Sequence, residues 1–147
     1  MNLAVLAGQA LFDAMEQHYL LSPIHNTLGL TLKVPGESEA IVHYDGRKDG
    51  MNRRGEAAGG TVAEMIDSAV VQACRTRLQP FDSTVTIELK VNYVRAAPAN
   101  LKLFAQAKLD HFGRSTAVGT GRVLDETGKL YAIGIVTVSI KKAEPRR

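Results

Sequence analysis

Two groups with complementary chemistry lie close together in the stretch Asn52 to Leu78, NRRGEAAGGTVAEMIDSAVVQACRTRL. The first is the carboxylate of Asp67, set among Val62, Met65, Ile66, Ala69, Val70 and Ala73, which recur at helical spacing and predict one buried stripe. At about 100° per residue Asp67 falls roughly 120° from the centre of that stripe, on its flank, while Glu64 and Ser68 point to the opposite side. A carboxylate at the edge of a buried face looks into a cleft. The second is Gly59-Gly60, where the helix begins: unpaired backbone N–H groups and the positive end of the helix dipole bind an oxygen that carries negative charge. Together they offer a nucleophile or general base and a place for negative charge, and the residues alone do not say which of the two roles Asp67 takes.

The rest of the chain must position these groups. Leu3, Leu6, Ala7, Ala10, Leu11 and Ala14 share one helical face, which predicts an amphipathic N-terminal helix from Leu3 to Gln17 ending before Ser22-Pro23. His25-Asn26 reads as loop. Leu28 to Val34 and Ser38 to Tyr44 read as two short strands joined by a turn at Pro35-Gly36-Glu37. Asp45 to Ala58 holds three glycines and seven charged residues and reads as a loop, where binding groups concentrate. After the helix, Val85, Ile87, Leu89, Val91 and Tyr93 alternate with Thr84, Thr86, Glu88, Lys90 and Asn92, which predicts a half-buried strand. A turn at Ala97-Pro98-Ala99-Asn100 leads to a strand through Leu101, Leu103, Ala105, Ala107 and Leu109, ending at His111-Phe112-Gly113. Two more strands, about Ser115 to Leu124 and Leu130 to Ile140, flank the turn Asp125-Glu126-Thr127-Gly128. One long helix among about six antiparallel strands implies an α+β arrangement, a curved sheet wrapped around that helix.

Composition narrows the function classes. With 147 residues, 45% apolar and 22% charged, the chain fits one globular domain, 1–147. The lone Cys74 forms no internal disulfide and reads as core. The start MNLAVLAGQALFDAMEQ lacks a basic n-region and carries Asp13 and Glu16, unlike a secretory signal, so a cytoplasmic protein is expected. The net charge of +3 gathers in a basic tail, 141–147, with Lys141, Lys142, Arg146 and Arg147. That balance, without aromatic-plus-basic strands or zinc spacings, argues against nucleic-acid, membrane or metal partners. A mild positive excess suits a phosphorylated small molecule.

Asn52, two residues, Gly55, then Gly59-Gly60, six residues and Asp67, followed by T-V-T-I-x-L-x-V-N-Y from Thr84 and H-x-G-R from His111, resembles the hotdog-fold acyl-CoA thioesterases of the phenylacetate-degradation (PaaI-like) group. The likeness covers roughly 28–140, behind an N-terminal helix within 1–20. It implies a homodimer whose curved sheets join edge to edge, often paired again into a homotetramer, with each active site between subunits. It implies that Asp67 attacks the thioester or activates water, and that Gly59 directs its N–H at the thioester carbonyl, where a fixed donor is a large catalytic term. Asn52 would help hold the water, Thr86 would orient Asp67 or the water, and Gly60, Arg114 and His111 would contact substrate, the last two near the coenzyme A phosphates. As residues alone, Asn52 also reads as a turn residue, Thr86 as the polar side of a strand, and Arg53, Arg54 and Arg114 as solvated charges. Relatives carry His where this chain has Ala58; Glu56, His43 or Arg54 are the residues available to fill that gap. The reaction implied is hydrolysis of a small, medium-chain or aryl acyl-CoA, needing no cofactor or metal beyond the coenzyme A of the substrate. A non-catalytic acyl-CoA binding or sensing module is the alternative. A hydratase of acyl carriers ranks behind both, because the His motif of hotdog dehydratases is absent.

Overall fold

The computed structural model describes residues 7–98 and 100–145; Leu3, Leu6, Ala99, Arg146 and Arg147, which figure above, lie outside the described residues. The elements run α1 (Gln9–Tyr19), α2 (Pro23–Leu28), β1 (Leu30–Lys33), β2 (Glu39–Tyr44), a 3₁₀ turn at Lys48–Gly50, α3 (Gly59–Arg75), β3 (Ser83–Tyr93), β4 (Leu103–Phe112), β5 (Thr116–Asp125) and β6 (Leu130–Lys141). The six strands form one antiparallel sheet in the order β1-β2-β4-β5-β6-β3, so β1 and β3 are its edges. α3 packs against β2, β3, β4, β5 and β6, and the sheet curves around it as expected.

The predicted stripe of α3 is the centre of the core. Val62, Met65, Ile66, Ala69, Val70 and Ala73 are all buried, with Cys74 among them. Full burial of Met65, Ile66 or Val70 is worth about 1.5–3 kcal/mol each. Opposite them the sheet offers Val42, Ala105, Ala117, Val123, Val136 and Val138, also buried. Glycines let the helix sit low. A Cβ at Gly119 would lie 2.7 Å from Val70 Cγ1, one at Gly121 3.0 Å from Ile66 Cγ2, and one at Gly134 2.8 Å from the Lys90 carbonyl oxygen and 3.0 Å from Ile66 Cγ2. Because the nearest obstacle to a side chain at Gly134 is backbone, Gly134→Ala is expected to lower stability by about 1–3 kcal/mol. The measurement is a urea unfolding curve, with a lower midpoint and an unchanged slope.

Three local expectations are corrected. On α1 the buried residues are Ala14, Met15 and Tyr19, with Leu11 and Phe12 packed against the core, while Ala7 and Ala10 are exposed. The larger side chains bury more apolar area than the alanines, so the helix turns them inward. His25 is in no loop: it belongs to α2, which starts with Pro23 at its first turn and ends at Gly29 in the left-handed conformation with φ 71°. Both residues are ordinary terminators of a short helix. Third, β3 does not alternate uniformly. Its register against β6 shifts between Thr86 and Glu88, leaving Ile87 as an extra residue. Thr84, Thr86, Leu89, Val91 and Tyr93 pair with the inward residues Ile140, Val138, Val136, Gly134 and Ala132, whereas Val85 faces outward and is 70% exposed, with Ile87 61% exposed. The strand predicted to be half-buried is therefore mostly exposed along an unpaired edge. Among the described residues no helix is long and apolar enough to cross a membrane.

Candidate active site

α3 begins without a side-chain cap. Ala58 offers none, and the Gly59 and Gly60 N–H groups precede the first possible intrahelical acceptor. The helix start is fixed from outside instead: Ala58 N–H and Thr61 Oγ1 both donate to the Gly50 carbonyl, each at 2.9 Å, and Ala57 N–H donates to the Ala97 carbonyl at 3.1 Å. Both glycines are exposed, and a Cβ on Gly60 would meet nothing within 4 Å. Gly59 opens on a cleft of about 270 Å³ whose walls include Asn52, Glu56, Val62, Tyr93 and Arg95. In that wall the Tyr93 hydroxyl donates to the Gly59 carbonyl at 2.7 Å.

Asn52 lies beside this helix start and also holds the loop. Its Oδ1 accepts the Arg54 N–H at 2.9 Å and the Glu56 N–H at 3.2 Å, a turn made by its own side chain. Its Nδ2 reaches Glu56 Oε2 at 3.4 Å. Arg54 grips Glu56 with two bonds of 3.1 Å, and hydrogen bonds from Arg54 and then Asn52 hold the Glu56 carboxyl below its ordinary range. Glu56 and Arg54 thus line this cleft already paired to each other. His43 does not: it lies on β2 edge-on to Phe104, in a separate cleft of about 230 Å³ shared with Leu20, Arg47 and Lys102. Burial, then the Lys33 charge, push its imidazole below the usual value.

Asp67 is half-buried on the flank of α3 that faces β3, and the Thr86 hydroxyl donates to its Oδ1 at 2.7 Å. Burial pushes the Asp67 carboxyl above its usual value; the Thr86 bond opposes this and the Glu64 charge adds to it. Eight residues of helix separate Gly59 from Asp67, about 12 Å at 1.5 Å per residue. One chain therefore brings Asn52, Gly59 and Gly60 together at one place and Asp67 and Thr86 at another. His111 and Arg114 are at neither. They are exposed in the β4–β5 hairpin, where the ring of Phe112 lies under Arg77 at 4.6 Å, beside the far end of α3 and about 24 Å of helix from Gly59.

The face of α3 opposite its stripe is covered. Tyr19 and Ser68 share a 2.7 Å hydrogen bond, His25 stacks on the Tyr19 ring at 3.8 Å between centroids, and the His25 ring nitrogens meet the Tyr19 carbonyl and Glu64 Oε1, each at 3.0 Å. Burial pushes the Tyr19 phenol strongly upward. This network binds α1 and α2 to α3. The Pro23 to Gly29 punctuation was the sequence signal for it. Tyr93, paired with the helix start, had no such signal, because a strand tyrosine reads as core or tunnel lining alike and names no polar partner. Among the described residues, no cluster of His, Cys, Asp and Glu is suited to a metal ion.

Residues 55–132 match the model of the thioesterase superfamily. The 1,4-dihydroxy-2-naphthoyl-CoA hydrolase of Listeria monocytogenes is 24% identical over 119 residues, 81% of this chain and 96% of that protein. Among solved structures, a mutant of the phenylacetic acid degradation protein PaaI from Thermus thermophilus is 30% identical with a TM-score of 0.73, covering 80% of this chain and 98% of that one. A thioesterase from Haemophilus influenzae reaches a TM-score of 0.83 at 18% identity over 97% of this chain and 96% of that one, a likeness of fold alone.

Proposed function

Because the chain belongs to the thioesterase superfamily, we propose that it hydrolyses a small, medium-chain or aryl acyl-CoA to the free acid and coenzyme A, in the cytoplasm, as a homodimer that can pair again into a tetramer. The observation that carries this reading is the placement of a half-buried carboxylate, Asp67, held by Thr86, on the same helix whose open first peptides can take an oxyanion. The thioester carbonyl oxygen is received by the Gly59 and Gly60 N–H groups. Asp67 of the partner subunit attacks the carbonyl carbon or takes a proton from the attacking water, while Asn52 and Thr86 hold that water in line. Thiolate is a good leaving group, so no triad or metal is required. Arg114 and His111 meet the coenzyme A phosphates.

Two chains are needed because about 12 Å of helix parts the oxyanion donors from the carboxylate, far beyond the 3–3.5 Å of a near-attack arrangement. A two-fold axis that runs two α3 helices antiparallel lays residue 59 of one beside residue 67 of the other. The unpaired β3 edge, with Val85 and Ile87 exposed, is the surface such an axis would cover. Ala58, standing where the resemblance implies a His, favours one other reading, a protein that binds or senses acyl-CoA without turning it over. Thiol release from acetyl-, hexanoyl-, palmitoyl-, phenylacetyl- and benzoyl-CoA, above the background of the buried Cys74, decides between them. Turnover of at least one ester is expected, and its identity names the acyl class. No turnover, with esters still raising the melting temperature, would replace hydrolysis by sensing; neither effect would overturn both.

A further inference from the structure

We propose that Tyr93 is a positioning residue for the oxyanion donors, its hydroxyl setting the plane and polarity of the Gly59–Gly60 peptide; this rests on the thioesterase reading above. The Gly59 carbonyl that accepts the Tyr93 hydroxyl at 2.7 Å belongs to the same amide as the Gly60 N–H. A bond donated to the oxygen of an amide strengthens the amide's own N–H as a donor. It also adds a second restraint to an amide that the first turn of α3 orients from one side only, with Gly60 standing in open space.

The hydroxyl is delivered by rigid backbone. Tyr93 is the last residue of β3 and pairs with Ala132, and beyond it the Val94 and Arg95 N–H groups both donate to the Tyr131 carbonyl, at 2.8 and 3.2 Å. The ring lies close to the glycine it serves, 3.5 Å from where a Gly59 Cβ would stand. Packing does not account for this residue: Tyr93 is 55% exposed in the single chain, on the cleft wall, with its one polar atom directed to the first carbonyl of α3. The same contact ties the edge strand to the helix start, so whatever covers β3 also holds the donors.

Tyr93→Phe removes the hydroxyl and little else. On an ester that the wild type hydrolyses, kcat is expected to fall about five- to tenfold with KM moving less than about twofold, because a donor fixed for the oxyanion matters more in the transition state than in the ground state. In the unliganded variant the Gly59 carbonyl carbon resonance should move upfield as it loses a donor, with circular dichroism unchanged. An unaltered kcat, a change confined to KM, or an unmoved carbonyl resonance would each overturn the proposal. The resonance requires no substrate. If the wild type hydrolyses nothing, a moved resonance upholds the positioning of the peptide while the thioesterase reading fails alone.

Discussion

Asp67→Asn is expected to lose about 10²- to 10⁴-fold in kcat, the usual worth of a positioned acid–base group, and at the same time to melt at a higher temperature than the wild type at neutral pH. The two effects share one cause. Burial raises the Asp67 carboxyl above its ordinary value, so the folded chain prefers the protonated form. The sign follows from linkage: the fold's preference for the proton contributes stability below the unfolded value, and that contribution is lost as pH rises through the folded one. At neutral pH the wild type carries a carboxylate in a half-buried site where an amide would sit at less cost. Asn keeps an oxygen for the Thr86 hydroxyl, so the contact at 2.7 Å survives. Thermal melts at pH 4 and pH 7 check this, with the advantage of Asn large at the higher pH and small at the lower. In the wild type kcat/KM should fall on the acid side at a pH above the ordinary aspartate range. A variant that keeps full activity would remove Asp67 from the mechanism.

Mixing two dead variants should restore activity. Gly59→Pro deletes the first N–H at a helical position that proline tolerates, and a Cβ there meets Tyr93 only at an ordinary 3.5 Å. Asp67→Asn deletes the carboxylate and leaves the glycines alone. Each homodimer then has two broken sites. When the two are unfolded and refolded together in equal amounts, half of the dimers are mixed, and each mixed dimer rebuilds one site with an intact Gly59 and an intact Asp67 from different chains. The expected recovery is about one quarter of wild-type turnover, a figure set by two-fold symmetry. A site contained within one chain would recover nothing, and light scattering on the same samples reports whether dimers formed.

What the sequence could reveal depended on periodicity. α3 and its stripe were legible because apolar residues recur around most of five turns, and burial obeyed them from Val62 to Ala73. The order of strands after α3 was legible from hairpin-length breaks. β3 misled because an alternation of Val85, Ile87 and Leu89 continues across a residue that the ladder skips; a bulge adds one residue and leaves no mark in a two-residue repeat. α2 is too short, at 6 residues, for periodicity to register, and with it the burial of His25 was missed. The separation of Gly59 from Asp67 was readable by counting residues, whereas the contact of Tyr93 with Gly59 joins a strand end to a helix start and has no local signature. Asn52 illustrates a further limit: one side chain can serve a turn and face a cleft, and its residue type is the same for both.

The glycines under α3 bear on the tolerance with which the site is aligned. A side chain reaching about 6 Å from the helix axis moves about 1 Å when the helix rolls by roughly 10°. A misplacement of that size can cost about 10²-fold in rate. Gly119, Gly121 and Gly134 meet Val70 and Ile66 so closely that one added methyl would roll or lift the helix, although none of the three is itself part of the site. The bearing of Asp67 is thus set from the sheet beneath the rod, by residues that contribute no side chain at all.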